Sequence, residues 1–274
     1  MRPTVPWRCG VDDCNEGDMK FSIITVCRNE AATISDTLAA VRGQQYGNIE
    51  HLVIDGGSTD QTLEILKRPE NSGVRWISEP DCGIYDAMNK GLSLANGEVI
   101  GFLNADDLYA DNQVLAQMAK LFADPDVAAV YGDLVYVDRE HPEKVVRYWR
   151  SCHYHPGLFQ RGWAPPHPTF FVRAKIYRLL GGFNLKYRLA ADAELMLRFI
   201  EKHQISTRYL SKVLVRMRLG GVTNSSLRNI LLQNREIIEA FRDNGLRVSL
   251  AGFVVGKLGS RVWQYFAGMV CRGR

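Results

Sequence analysis

The stretch "VIGFLNADD", residues 99–107, decides how the chain folds. An apolar run leads directly into Asn104, Ala105 and two adjacent acids, Asp106 and Asp107. Such a run predicts a strand buried on both faces, as in a parallel sheet. Adjacent carboxylates repel each other, so they need either full solvation or a cation at the end of that strand.

Similar strands alternate with helical patterns over the first half of the chain. The strand-like runs are "FSIITVC" (21–27), "HLVIDG" (51–56), "VRWIS" (74–78) and "EVIGFL" (98–103). This alternation predicts an α/β fold, with a mostly parallel sheet flanked by helices. In such sheets ligands bind beyond the carboxyl ends of the strands. We therefore expect the polar clusters that follow the strands to converge on one rim; they are residues 28–30, 55–57, 79–81 and 104–107.

The second half has a different pattern. Residues 128–149 predict antiparallel strands, a loop rich in Pro, His and Trp follows, and a helix is expected from about 191 to 203. We divide the chain into three parts: a disordered tail or mis-called start (1–18), a main α/β domain (19–226) and a helical C-terminal extension (227–274). "GGSTDQT" also predicts a helix opening at Thr59, capped by Ser58 and Gln61.

The composition is that of an ordinary soluble globular protein. Hydrophobic residues make up 46% of the 274 residues, and a net charge of +4 is too small to indicate nucleic-acid binding. Six scattered cysteines without metal-site spacing indicate reduced thiols in a cytosolic protein.

The end of the chain combines basic residues with aromatic ones, including Trp263, Tyr265 and Phe266. Its uncharged runs, 248–256 and 262–271, are shorter than the roughly 20 residues that span a bilayer. We expect either an interfacial helix at the inner face of the cell membrane or a helix packed on the domain.

The polar rim restricts the chemistry. The turn after the first strand, "CRNEAAT", has no glycine, which argues against a dinucleotide dehydrogenase, and a Walker A lysine motif is absent from the sequence. Carboxylates and amides can hydrogen-bond ribose and base edges. Paired acids such as Asp106 and Asp107 suit Mg²⁺, which commonly takes one or two carboxylates and completes its shell with phosphates. The residues thus predict a nucleotide-diphosphate site.

The helix predicted over 83–95 carries Asp86 and Lys90 on one face. Two interpretations are open: an ordinary solvated face, or a face in the donor cleft with Lys90 near a phosphate.

Several motifs together resemble the inverting family 2 glycosyltransferases of the GT-A fold. They are "SIITVCRNE", "LVIDGGSTDQT", "EPDCGIYDAMNKG", "GEVIGFLNADD", "HPTFFVR", "GGFN" and "AADAEL", in this order over roughly residues 20–226. "RLGGVTNSS" resembles a loop of bacterial members, of colanic-acid type, that build surface polysaccharides. The resemblance implies a Rossmann-like nucleotide-binding half and a smaller mixed acceptor half. It also implies Mn²⁺ or Mg²⁺, a nucleotide-diphosphate sugar donor and a glycan or lipid-linked acceptor.

The resemblance assigns roles to the rim residues. Asn104 departs from it, because the commonest motif has Asp there, and we expect altered detail without loss of activity. The implied nucleotide-binding residues are Thr25, Asn29, Glu30, Asp55, Asn104 and Asp106, and the implied metal ligands are Asp106 and Asp107.

Asp192 is the implied catalytic base, at the start of the 191–203 helix. The family has Glu before it where this chain has Ala191, so Glu194 stays an alternative. The unusual Asn104 and Ala191 also leave open a non-catalytic module that binds nucleotide sugars or glycans. For the acceptor side we expect His153, His155, Trp163 and His167, with a packing role as the alternative for each.

Overall fold

The computed structural model describes residues 19–220, 226–249, 252–253 and 256–257. The predicted tail (1–18) and most of the segment expected at the membrane interface (246–274) lie outside these residues. Within them, no helix is long and apolar enough to cross a bilayer. The strands are β1 Phe21–Cys27, β2 Ile49–Asp55, β3 Arg75–Ser78, β4 Val99–Phe102, β5 Asp107–Tyr109, β6 Ala129–Val137, β7 Val145–Trp149, β8 Phe171–Arg173 and β9 Thr207–Arg218.

Helices cover the sheet. They are α1 Ile34–Arg42, α2 Thr62–Leu66, α3 Ile84–Leu94, α4 Val114–Phe122, α5 Ala174–Leu180, α6 Ala191–Met196 and α7 Leu227–Asp243.

The first half of the sheet is parallel, as predicted, in the order β3-β2-β1-β4. Every residue of β1 and β4 is buried, in keeping with the apolar runs of their sequences. Cys27 lies opposite Asp55, and Asp55 lies opposite Ser78, so the carboxyl ends of β1, β2 and β3 meet at one edge.

The second half of the sheet is mixed. β8 pairs antiparallel with β4 and β6, and the predicted antiparallel pair in residues 128–149 is confirmed as β6 and β7. The twelve-residue β9 lies parallel to β6 and antiparallel to the short β5. That last pairing places Asp107 opposite Met217 and fixes the chain just after the "NADD" turn.

The largest core cluster lies between the sheet and helices α3, α6 and α7. This cluster contains Phe102 of β4, Phe199, which follows α6 directly, and Phe241 of α7. Each is at most 2% exposed. Gly91 lets α3 approach the sheet, since a Cβ there would lie 2.5 Å from Ile24 Cγ2. The first helix of the predicted extension thus shares the core of the preceding domain.

One local prediction was wrong. α2 begins at Thr62, not Thr59; Ser58 Oγ accepts from the Asn29 amide, and the Thr62 amide donates to Asp60 Oδ1 at 2.9 Å instead. The helix predicted over about 191–203 is confirmed in extent: it is α-helical from Ala191 to Met196 and continues as a π-helix, Leu197–Lys202.

Candidate active site

The loops after β1 and β2 are tied together at the rim. The Asn29 amide donates to Ser58 Oγ at 2.7 Å, and its side-chain oxygen accepts from the Thr59 amide at 2.8 Å. The Glu30 amide donates to Thr62 Oγ1 at 2.9 Å. Asn29 has a φ of 57°, a left-handed conformation that Asn tolerates better than most residues. The structure therefore brings Asn29 and Glu30 beside the turn that follows Asp55.

Asp55 is buried, and both of its carboxylate oxygens accept hydrogen bonds from the protein. Burial opposes its ionisation, but hydrogen bonds from Ser58 and Ser78 outweigh burial and lower the pKa of Asp55. The donors include the amides of Gly57 (3.1 Å) and Ser58 (2.9 Å) and the Ser78 hydroxyl (2.6 Å). Asp55, which the resemblance implies to bind nucleotide, thus stabilises the turn that follows it.

Thr25 is placed differently from the other predicted nucleotide-binding residues. Its side chain is fully buried inside the sheet, and Oγ1 lies 2.9 Å from His51 Nε2. The structure does not bring this side chain to the rim.

Asp86 and Lys90 share one face of α3, as the spacing predicts. Lys90 Nζ lies 2.9 Å from Glu79, 3.8 Å from Asp86 and 2.8 Å from the Pro80 carbonyl oxygen. Lys90 therefore ties α3 to the loop after β3, and a phosphate near it would compete with these carboxylates.

The "NADD" turn places its two acids in different environments. The Asp107 amide donates to the Asn104 carbonyl at 3.0 Å, Asp106 is half-buried, and Asp107 is wholly buried. No hydrogen bond of good geometry reaches either Asp107 oxygen from the described residues, although Asn104 and Arg218 lie near. Burial, and then the charge of Asp106, raise the pKa of Asp107 well above its usual range. Burial also raises the pKa of Asp106.

Arg218, which the sequence analysis missed, lies behind this turn at the end of β9. Only 3% of its side chain is exposed. It donates to the Asp106 carbonyl oxygen at 3.1 Å and to Asp36 Oδ2 at 2.5 Å. It is the first residue of the "RLGGVTNSS" segment, but its contacts with the acidic turn depend on the long-range pairing of β9 with β5 and β6.

The acids of this turn fit a divalent cation. A buried carboxylate without a hydrogen-bond partner is costly when ionised, and a cation offsets that cost. Among the described residues, no group of three or more His, Cys, Asp or Glu side chains forms a metal cage. One or two carboxylates completed by phosphate oxygens is the arrangement that Mg²⁺ commonly takes.

Asp192 lies in the first turn of α6, half-buried, and the Tyr85 hydroxyl donates to its Oδ1 at 2.9 Å. The Tyr85 ring stacks on Phe183, with centroids 5.6 Å apart. Tyr85 was also missed, because its partner is 107 residues away in sequence.

Glu194 is occupied. It is 3% exposed, pairs with Arg198 Nε at 2.9 Å and accepts from Asn244 Nδ2 at 3.0 Å. Asp192 lines a cavity and Glu194 does not.

The cavity beside Asp192 has a volume of about 240 Å³, and we call it the Asp192 cavity. Trp163 and His167 line it, whereas His153 and His155 are exposed and lie outside its lining. Burial lowers the pKa of His167, and the charge of Asp192 opposes that shift. The His167 ring packs on Phe102, with centroids 5.4 Å apart. Since Phe102 ends β4, the cavity and the "NADD" turn lie at the same end of that strand.

A family model described as glycosyl transferase family 2 matches residues 22–180. The chain belongs to glycosyl transferase family 2. A PGL/p-HBAD biosynthesis glycosyltransferase from Mycobacterium bovis is 34% identical to this enzyme over 209 residues, which cover 75% of this chain and 79% of the relative. The predicted family and the predicted enzyme class, a glycosyltransferase, are both confirmed.

Solved structures confirm the GT-A fold of this family 2 glycosyltransferase. A mannosyltransferase from Pyrobaculum calidifontis, in complex with GDP-Man and Mn²⁺, superposes with a TM-score of 0.62 at 20% identity, over 96% of this chain and 74% of that one. S. aureus TarS matches with a TM-score of 0.61 at 18% identity; the match covers 84% of this chain and spans 41% of TarS. A shorter TarS, solved with UDP-GlcNAc, gives 0.63 at 19% identity, over 84% of this chain and 68% of that one.

Proposed function

We propose that this glycosyltransferase moves a sugar from a nucleotide-diphosphate donor to a hydroxyl of a glycan or lipid-linked acceptor, with inversion at the anomeric carbon. The contact between Phe102 and His167 carries the proposal. It joins the acidic turn after β4 to the cavity that Asp192 lines, so donor and acceptor groups can meet at one end of the sheet.

On the donor side, Asn29, Glu30 and the turn at Asp55 form the nucleotide-binding rim, with Asn104 and Asp106 towards the ribose and diphosphate. Asp106 and Asp107 are the residues that would hold Mn²⁺ or Mg²⁺. A bound cation would offset the negative charge that builds up on the departing diphosphate. The P. calidifontis relative, solved with GDP-Man and Mn²⁺, supports this arrangement.

On the acceptor side, Asp192 takes the proton of the attacking hydroxyl. Tyr85 holds Oδ1, which leaves Oδ2 for that proton. The acceptor oxygen bonds to the anomeric carbon while the bond to the diphosphate oxygen breaks, and the electron pair of that bond leaves on the diphosphate. Attack from the face opposite the leaving group inverts the configuration.

For the biological setting, we propose the assembly of cell-surface glycoconjugates. The Mycobacterium relative, named for PGL/p-HBAD biosynthesis, and the "RLGGVTNSS" segment support this setting. We also propose a cytoplasmic location with peripheral membrane contact through residues 246–274, supported by their basic and aromatic sequence.

Release of nucleotide from a panel of donors tests the function. With Mn²⁺ present, we expect at least one UDP-, GDP- or dTDP-sugar to be turned over, and CMP-sugars, which have no diphosphate, to be inert. Asp106→Asn should reduce turnover at least 100-fold, because the substitution removes a charged metal ligand. Asp126→Asn, an exposed acid away from the rim, is the matched control. If every donor is inert while UDP or GDP still raises the melting temperature, the chain is a non-catalytic binding module instead.

A further inference from the structure

We propose that the acceptor carries an apolar group, alkyl or aryl, close to the hydroxyl that receives the sugar. This group occupies the part of the Asp192 cavity between α6 and α7. The inference rests on the proposed function, since it takes Asp192 as the group that meets the acceptor hydroxyl.

The wall of the cavity nearest α7 has no hydrogen-bonding side chain along most of its described surface. Its residues are Met196, Leu197, Ile237, Ala240, Phe241 and Phe253. A sugar hydroxyl placed against this wall would leave water and gain no partner, which is unfavourable. An alkyl or aryl group placed there gains free energy from leaving water.

The polar side chains on the same side of the cavity already have protein partners. Gln233 Nε2 donates to the Leu189 carbonyl oxygen at 3.4 Å, and Lys257 Nζ donates to Asn234 Oδ1 at 2.6 Å. Each therefore already donates within the protein, and the six apolar side chains of the wall add no further donor or acceptor.

Polar atoms without a hydrogen-bond partner belong to other lining residues, His167 and Trp163. His167 Nε2 is buried without a hydrogen-bond partner among the described residues, and His167 lies near enough to Asp192 to sense its charge. Trp163 Nε1 is also buried without a partner in that part of the chain. The cavity thus combines a polar end, at Asp192 and His167, with an apolar wall between α6 and α7. This arrangement matches an acceptor that is itself amphipathic.

Binding of a homologous series of glycosides tests the inference directly. The probes are methyl, butyl, hexyl and phenyl β-D-glucoside and the polar disaccharide cellobiose, and the readout is tryptophan fluorescence, because Trp149 and Trp163 line the cavity. Each methylene that becomes buried should tighten binding about fourfold. We expect hexyl and phenyl glucoside to bind at least tenfold more tightly than methyl glucoside.

Ile237→Glu places a charge on the apolar wall, and Ile238→Glu is the matched control, since Ile238 is the next residue of α7 and does not line the cavity. Ile237→Glu should bind all four glucosides alike, whereas Ile238→Glu should keep the dependence on chain length. If circular dichroism shows that Ile237→Glu is unfolded, Ile237→Thr takes its place, and at least a threefold loss of hexyl glucoside affinity is expected.

Equal binding of methyl and hexyl glucoside, or tighter binding of cellobiose than of hexyl glucoside, would overturn the inference. Failure of the proposed function gives a different result, namely no donor turnover with Mn²⁺ in the nucleotide-release assay. Because the fluorescence measurement does not need turnover, the two failures are distinguishable.

Discussion

At the scale of single residues, Tyr85 positions the proposed base through the 2.9 Å hydrogen bond to Asp192 Oδ1. Tyr85→Phe removes the donor that orients this carboxylate, a loss of about 1 kcal/mol. We expect kcat to fall about fivefold while the KM for the donor stays unchanged, because this hydrogen bond lies on the acceptor side of the proposed site. Steady-state kinetics with a donor that is turned over measures both constants.

Tyr154→Phe is the matched control for Tyr85→Phe. It also removes a phenol–carboxylate hydrogen bond, at 3.0 Å to Glu201, which is not part of the proposed machinery. Its kcat should match that of the unsubstituted enzyme. If Tyr85→Phe leaves kcat unchanged, or only raises the KM for the donor, the phenol does not position the base.

The sequence predicts which acids lie at the rim but not how each one is exposed. The "NADD" motif identified Asp106 and Asp107 as a pair, whereas the structure leaves Asp106 half-buried and Asp107 wholly buried. The difference arises because Asp107 begins β5, where successive side chains point to opposite faces. No local pattern reveals a three-residue strand whose pairing partner is β9, far along the chain.

At the scale of the elements, β1 and β2 share a buried polar contact between Thr25 and His51. Burial lowers the pKa of His51 to about 4. In the unfolded chain His51 binds a proton as the pH falls below about 6.5. In the folded chain it binds that proton only below about pH 4. The free energy of unfolding should therefore fall over this range, by about 3 kcal/mol in total from this one group.

Urea denaturation at pH 7, 6 and 5 measures this loss of stability. His51→Asn should flatten the pH dependence, because the titrating group is gone. His141→Asn, at a histidine 68% exposed, should leave the slope unchanged. An unchanged slope in His51→Asn would assign the pH dependence to other groups.

Elements with local signals were predicted well, and those that depend on distant partners were not. The apolar runs of β1, β2 and β4 and the antiparallel pair β6 and β7 were predicted from their own residues. The pairing of β9 with β6 and β5 was not predicted, because the pattern of a strand does not identify the strand that it pairs with. The predicted cap at Ser58 failed for a related reason: its oxygen accepts from the Asn29 amide, 29 residues away on the loop after β1.

At the scale of the whole molecule, α7 belongs to the same core as the strands of the donor half. Phe241 is 1% exposed, and Phe241→Ala should cost about 4 kcal/mol of unfolding free energy. We expect one cooperative transition, shifted as a whole, in thermal or urea unfolding. Leu231→Ala, at a residue of α7 that is 70% exposed, should change stability by less than about 0.5 kcal/mol. Two separate transitions, with only one shifted by Phe241→Ala, would mean that the extension folds independently.

Half of the six residues that form the apolar wall of the Asp192 cavity come from α7, which lies beyond residues 22–180, the segment that matches the family model. If α7 determines the choice of acceptor, substitutions in this one helix can change the acceptor during evolution. The residues proposed to bind the donor would stay the same. If so, replacing α7 by the corresponding helix of a relative is expected to change the acceptor while the nucleotide preference is kept.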